Sequence, residues 1–320
     1  MTKRIEETRV ALERDTRAIG RRRLLALSAG FGAGLLARPG AARAQTPPGC
    51  VEDTLDRIKR TGAFNLGARE ATPPYGYKDA QGNYVGFATE IARAIHANIE
   101  KELGGKIALN YVPVTSETRI PLLQNGTIDM EAGATVVTQA RIKVVDFSVP
   151  HFLTSTEVLV PASSPLKSLA DLAGKRVGVP QGGLEEAAYR ALLNRKGELK
   201  LAVTTVGFPD HPQGFTALQT GSIDGYSSDG PILYGLKGKA SDPSEWRVFD
   251  PGINTFLQAF PIRPESSKFK RVADLTIVGL YASGDWDTLY DKYFGPQGVA
   301  PFPVTEALKA LAVMNAWPAR

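Results

Sequence analysis

The chain has 320 residues, 43% of them hydrophobic and 22% charged, an ordinary globular composition with room for two domains. Its pI of about 9.2 would suit a nucleic-acid partner, but residues 1–44 hold 10 of the 38 Lys+Arg and 4 of the 33 Asp+Glu, leaving 28 against 29. The basic charge belongs to that first segment, and nucleic acid is excluded as the partner of the remainder.

Residues 1–44 read as a cleaved export signal. A basic region ends in Arg21-Arg22-Arg23, an apolar run spans Leu24 to Leu36, and Ala42-Arg43-Ala44 forms a small-x-small cleavage site that leaves Gln45 first. The apolar run is shorter than the roughly 20 residues that span a bilayer. The arginine pair followed by Leu24 and Leu25 is similar to a twin-arginine signal, although the general secretion route accepts such segments too. Cys50 is the single cysteine, so no disulfide can close within one chain, and Pro47-Pro48-Gly49 before it argue against lipid attachment. His96, His151 and His211 are scattered, and neither HExxH nor GxSxG occurs, so no metal site, cofactor or serine nucleophile is expected.

Beyond the signal, strands and helices alternate. A helix is predicted over Val51–Arg60, then a strand over Phe64–Gly67 with Arg69 just past its end, an aromatic loop at Pro73–Tyr77, and extended chain at Tyr84–Phe87. Ile91, Ala94, Ile95 and Ile99 recur at helical spacing until Gly104-Gly105. A strand over Ile107–Val114 delivers Ser116 and Arg119 to the edge that holds Arg69. Arg119–Gln124 reads as a short helix capped at Asn125-Gly126, and Thr127–Glu131 as a strand broken by Gly133. The turn at Ala134–Thr138 leads into a helix carrying Arg141, and backbone N–H groups at such a turn form an anion site.

Leu153–Leu159 is extended enough to cross between lobes. There follow a short helix at Leu169–Leu172, a strand at Arg176–Val179, a turn at Gly182-Gly183, a helix at Leu184–Arg195, a strand at Ala202–Val206 and a loop bearing Asp210 and His211. After the next helix, the strand Tyr226–Ser228 places Asp229 at its end. Trp246–Phe249 precedes a second crossing at Thr255–Phe260, and the chain is helical from Ser267, with Trp286, Tyr290 and Tyr293 packing on the first lobe. The run Leu218-Gln219-Thr220-Gly221-Ser222-Ile223-Asp224 restates Leu123-Gln124-Asn125-Gly126-Thr127-Ile128-Asp129, which indicates two similar lobes. A two-lobed α/β protein binds its ligand where strand and helix ends converge between the lobes.

With these residues in view, the chain from Asp56 to Phe294 resembles the type II periplasmic solute-binding proteins of amino-acid ABC importers, and among them those for glutamate and aspartate. The resemblance rests on Gly67-Ala68-Arg69-Glu70, Pro74-Tyr75-Gly76-Tyr77, Thr115-Ser116, the run Arg119–Thr127, Arg141, Asp146-Phe147-Ser148, Asp171-Leu172 with Gly174-Lys175, Asp210-His211 and Asp229. It implies a Venus-flytrap fold, each lobe a mostly parallel sheet flanked by helices, with residues 45–153 and 257–320 in one lobe and 154–256 in the other. It also implies a monomer in the periplasm that hands its ligand to a membrane permease. By the same resemblance Arg141 takes the ligand α-carboxylate and Asp229 its ammonium, while Arg69, Ser116, Arg119 and His211 surround the distal carboxylate. Tyr75 and Thr135 complete the expected ligand set.

Arginine's fork pairs bidentately with a carboxylate, which agrees with these roles. The chain departs from the family in carrying Ala134, Val136 and Gly183 where hydroxyl side chains are usual. That leaves room for another dicarboxylate or amino-acid derivative. A rival reading is a periplasmic lyase resembling cyclohexadienyl dehydratase, with Glu185 or Glu186 as proton donor, and a third is a sensor docking on a receptor.

Overall fold

The structure is a computed structural model that describes residues 52–193 and 203–317. The expected export signal, Cys50, and the stretch from Asn194 to Ala202 lie outside the described residues.

The first sheet has the order β5-β1-β6-β14-β7, built from β1 (Ala63–Ala68), β5 (Ala108–Pro113), β6 (Met130–Ala132), β7 (Asp146–Phe147) and β14 (Pro261–Ile262). The second has the order β10-β9-β11-β8-β12, from β8 (Phe152–Pro161), β9 (Arg176–Pro180), β10 (Thr204–Phe208), β11 (Gly225–Asp229) and β12 (Trp246–Phe249), with β13 (Thr255–Gln258) also paired to β8. A small antiparallel sheet of β2 (Ala71–Thr72), β3 (Gly76–Lys78) and β4 (Tyr84–Val85) stands beside the first. Each main sheet has a parallel heart, β5-β1-β6 and β10-β9-β11, to which the remaining strands add antiparallel pairing, so both are mixed. The chain leaves the first sheet through β8 and returns through β13. These two segments lie against each other, with Phe152 opposite Gln258 and Ser155 opposite Thr255.

The helices are α1 (Thr54–Thr61), α2 (Phe87–Leu103), α3 (Arg119–Gln124), α4 (Glu185–Leu193), α5 (His211–Gln219), α6 (Gly230–Gly238), α7 (Ser267–Ser283), α8 (Asp285–Phe294) and α9 (Glu306–Asn315). The α2 stripe is buried as its spacing predicts, with Ile91, Ile95 and Ile99 fully buried, and Gly104 ends the helix at φ 68°. Trp286, Tyr290 and Phe294 on α8 pack around Phe87 and Phe152, and the Trp286 indole donates to the His151 carbonyl at 3.1 Å. Among the described residues no helix is long and apolar enough to cross a membrane.

The repeated run makes the same local structure twice. Asp129 N–H donates to the Asn65 carbonyl and its carboxylate accepts from Asn65 N–H, both at 2.8 Å; Asp224 makes the same pair with Arg176, both at 2.8 Å. Each aspartate thus clamps the neighbouring strand's first residues, after a glycine at positive φ, 77° at Gly126 and 71° at Gly221, has turned the chain.

Three local expectations are corrected. Arg141 sits in a single 3₁₀ turn, Arg141–Lys143, rather than a helix, because β7 begins at Asp146 and Val144 and Val145 both bond back to the Arg141 carbonyl. His211 begins α5 instead of lying in a loop, since the Asp210 carboxylate accepts from Gln213 N–H at 2.9 Å and caps the helix before it. Phe87 starts α2 rather than extending β4, because Ala88 and Thr89 N–H donate to the Tyr75 carbonyl.

Candidate functional site

A buried cavity lies where the carboxyl ends of β1, β9 and β11 meet the starts of α3, α4 and α5. One wall carries Arg69, Ser116, Arg119, Ala134, Val136 and Arg141, and the facing wall Gly183, Glu185, His211, Ser228 and Asp229. The space left between them is ≈ 20 Å³, about what one water needs.

On the first wall, Arg69 is 5% exposed and donates from Nη1 to Ser116 Oγ at 3.1 Å. Arg119 is 3% exposed, its Nη1 stands 3.8 Å from Glu131 Oε1, and its Nε has no partner. Arg141 donates from Nη1 to the Val136 carbonyl at 2.8 Å and from Nη2 to the Gly182 carbonyl at 3.1 Å, so its fork spans both walls. Burial, then the neighbouring Arg119 charge, draws both Arg69 and Arg141 down to about 10, which leaves them cationic at neutral pH.

On the second wall, His211 is fully enclosed, and its Nδ1 lies 3.0 Å from the Tyr226 hydroxyl. Burial, followed by repulsion from Arg69 and Arg119, lowers it to about 3, so the imidazole is neutral. Gln258 Nε2 donates to Asp229 Oδ2 at 2.7 Å. Burial, followed by the Glu185 charge, holds Asp229 well above the usual carboxylate range. Burial likewise raises Glu185.

Six of the eight expected residues line this cavity: Arg69, Ser116, Arg119, Arg141, His211 and Asp229. Thr135 does not. The chain is extended there, with Val136 bridged to Gln258, so successive side chains alternate; Ala134 and Val136 face the cavity, and the Thr135 hydroxyl turns away to donate to Glu131 Oε2 at 2.6 Å. Tyr75 is also elsewhere. Its carbonyl caps α2, and its ring is buried among Phe152, Phe294 and Phe87 at 5.4, 5.7 and 6.3 Å. Of the two expected acids, Glu185 is in the cavity, while Glu186 is outside, 2.7 Å from Arg190.

Sequence reasoning missed Glu131, Ser228 and Gln258, because each sits inside a strand whose neighbours read as core. The signal available for Glu131 was a charged residue between Met130 and Ala132 in an otherwise buried β6. Among the described residues no cluster of His, Cys, Asp and Glu could hold a metal ion.

Two lobes joined by paired crossings, with charged walls meeting at a cleft, define the type II periplasmic binding protein fold. Residues 64–296 match the model of the bacterial extracellular solute-binding proteins, family 3. The chain is 34% identical over 265 residues to the L-glutamate/L-aspartate-binding protein of Pseudomonas aeruginosa, covering 81% of this chain and 87% of that protein. It is 32% identical over 257 residues to the glutamate/aspartate import solute-binding protein of Escherichia coli, covering 80% and 84%. Among solved structures it is similar to an ancestral amino acid-binding protein described as a precursor of cyclohexadienyl dehydratase, with a TM-score of 0.64, 27% identity, and coverage of 75% of this chain and 99% of that one. The chain belongs to the family 3 bacterial extracellular solute-binding proteins.

Proposed function

We propose that the chain captures an acidic amino acid, glutamate or aspartate, outside the cytoplasm and delivers it to the permease of an ABC importer. The observation that carries this reading is the convergence of Arg69, Arg119, Ser116 and His211 in one cavity, where Arg69 donates to Ser116 and both arginines bear on His211. A carboxylate there would accept from two guanidinium groups and a hydroxyl, with Asp229 on the facing wall to receive an ammonium. The names of the Pseudomonas and Escherichia relatives support the same ligand class.

Capture is by hinge closure, with residues 45–153 and 257–320 moving as one lobe against 154–256. The mature chain begins at about Gln45, acts as a periplasmic monomer, needs no cofactor, binds no nucleic acid and performs no chemistry. Intact mass of a periplasmic extract checks the cleavage; retention of Met1 would contradict it.

Glu185 favours one alternative. An enclosed carboxyl that burial holds above its usual range is placed to donate a proton to a bound ligand, which suits a lyase acting on a cyclohexadienyl acid. A thermal-shift panel of glutamate, aspartate, glutamine and prephenate, with product analysis, separates the two. Stabilisation by glutamate or aspartate without turnover is expected. Consumption of prephenate would replace the carrier reading with the lyase.

A further inference from the structure

Glu185 has no part in the assignment of the two ligand ends, yet it is built into the cavity. It is 3% exposed, and its Oε2 has no hydrogen-bond partner. Glu185 opens α4 and lines the cavity together with Ser228 and Asp229. A Cβ placed on Gly183 would stand 2.1 Å from Oε2, so a side chain there would displace the carboxylate from this position.

The groups around the Glu185 carboxylate decide what it can receive. Arg141 and Arg119 attract Glu185, but the Arg141 fork already donates to the Val136 and Gly182 carbonyls. Asp229 repels it, and Glu185 is the foremost charged neighbour of Asp229. Two carboxylates lining one water-poor cavity, one with an unused acceptor, are stabilised by a cation between them. Among the described residues no lysine lines the cavity and the Arg141 fork is engaged, so an ammonium between the two carboxylates comes with the ligand. The formal charges point the same way: Arg69, Arg119 and Arg141 are matched by Glu131, Glu185 and Asp229. A dicarboxylate without an amine would add two negative charges to a balanced site, whereas an acidic amino acid adds one.

We propose that Glu185 is a second acceptor for the ligand's ammonium group, paired with Asp229, so that the cavity selects acidic amino acids against dicarboxylates lacking the amine. The inference rests on the acidic amino-acid reading of the same cavity. Titration calorimetry of the wild type and Glu185→Gln with glutamate and with glutarate, which differs only by the missing amine, tests it. The wild type should prefer glutamate. In the variant, glutamate should weaken by about tenfold or more, the scale of one hydrogen bond to a charged group, while glutarate should hold or tighten. Equal shifts for both ligands would reduce Glu185 to packing. Tighter glutamate binding would make it a competitor for the ligand carboxylate, and either result overturns the proposal. The wild type gives a check independent of the variant's folding, since glutarate bound as tightly as glutamate overturns it too. Wild type that binds neither would instead remove the acidic amino-acid reading, and this inference with it.

Discussion

Arg69, Arg119 and Arg141 put three guanidinium groups on one wall of the cavity, whereas the facing wall carries Glu185, Asp229 and a neutral His211. The two walls belong to sheets that share a parallel heart and a repeated seven-residue run ending in Asp129 and Asp224. What is repeated serves the backbone: both aspartates clamp a neighbouring strand with the same pair of bonds. What is not repeated is the set of charged side chains that lines the cavity. The walls also differ in how their charges are held. The first has Glu131 and backbone carbonyls facing its arginines, while the second leaves Glu185 Oε2 unpartnered and Asp229 raised by burial and by Glu185. Neutralising a charge should therefore harm the first wall and relieve the second.

The largest effect is expected on the first wall. Arg119→Ala removes a cation from an enclosed anion site, a loss of about 2 to 5 kcal/mol, or thirtyfold or more in affinity for glutamate. Glutamine should lose much less, since an amide carries no charge. Arg119→Lys should restore only part, because an ammonium lacks the fork. Calorimetry with both ligands measures the contrast, and equal losses would make Arg119 structural.

The next effect is in acid. His211 is held at about 3, below the ordinary value of about 6.5 in an unfolded chain. The unfolded chain takes up the proton first, so this contribution is intact above pH 6.5 and lost as pH falls toward 3. Two pH units below 6.5 that is about 3 kcal/mol. Urea unfolding at pH 7.5 and 4.5 should show His211→Asn to be less acid-sensitive than the wild type by about that amount. An unchanged difference would mean the imidazole is not held neutral.

A smaller effect of opposite sign is expected for Asp229→Asn. A carboxylate whose folded value is raised opposes folding once the pH exceeds its unfolded value, about 3.9. At pH 7 the variant should melt higher without ligand yet lose most of the shift that glutamate gives. A lower melting temperature would mean that Asp229 is satisfied in the ligand-free protein. The smallest change is Ser116→Ala, which takes one acceptor from Arg69 and should cost about 1 kcal/mol of glutamate affinity.

The positions of the cavity arginines were legible because Arg69 and Arg119 follow periodic elements whose ends can be read. Gly126, at positive φ, marks the end of the short helix that Arg119 opens. Arg141 could be placed in the site but not on its element, since a 3₁₀ turn set by the arrival of β7 leaves no period to read. Tyr75 misled because an exposed-looking aromatic loop is pinned by its own carbonyl to the start of α2. Thr135 misled because which of three consecutive residues faces the cavity depends on the bridge from Val136 to Gln258, a pairing distant in sequence. Glu131 and Gln258 were hidden for the same reason: both lie on short strands whose partners come from far along the chain.

The central claim is that the cavity between a cationic and an acidic wall holds an acidic amino acid. Titration calorimetry of the mature wild-type chain with glutamate and glutamine tests it most directly. Saturable one-to-one binding with glutamate at least about tenfold tighter is predicted, from one hydrogen-bonded charge worth about 1.5 kcal/mol or more. Glutamine bound as tightly as glutamate would contradict it.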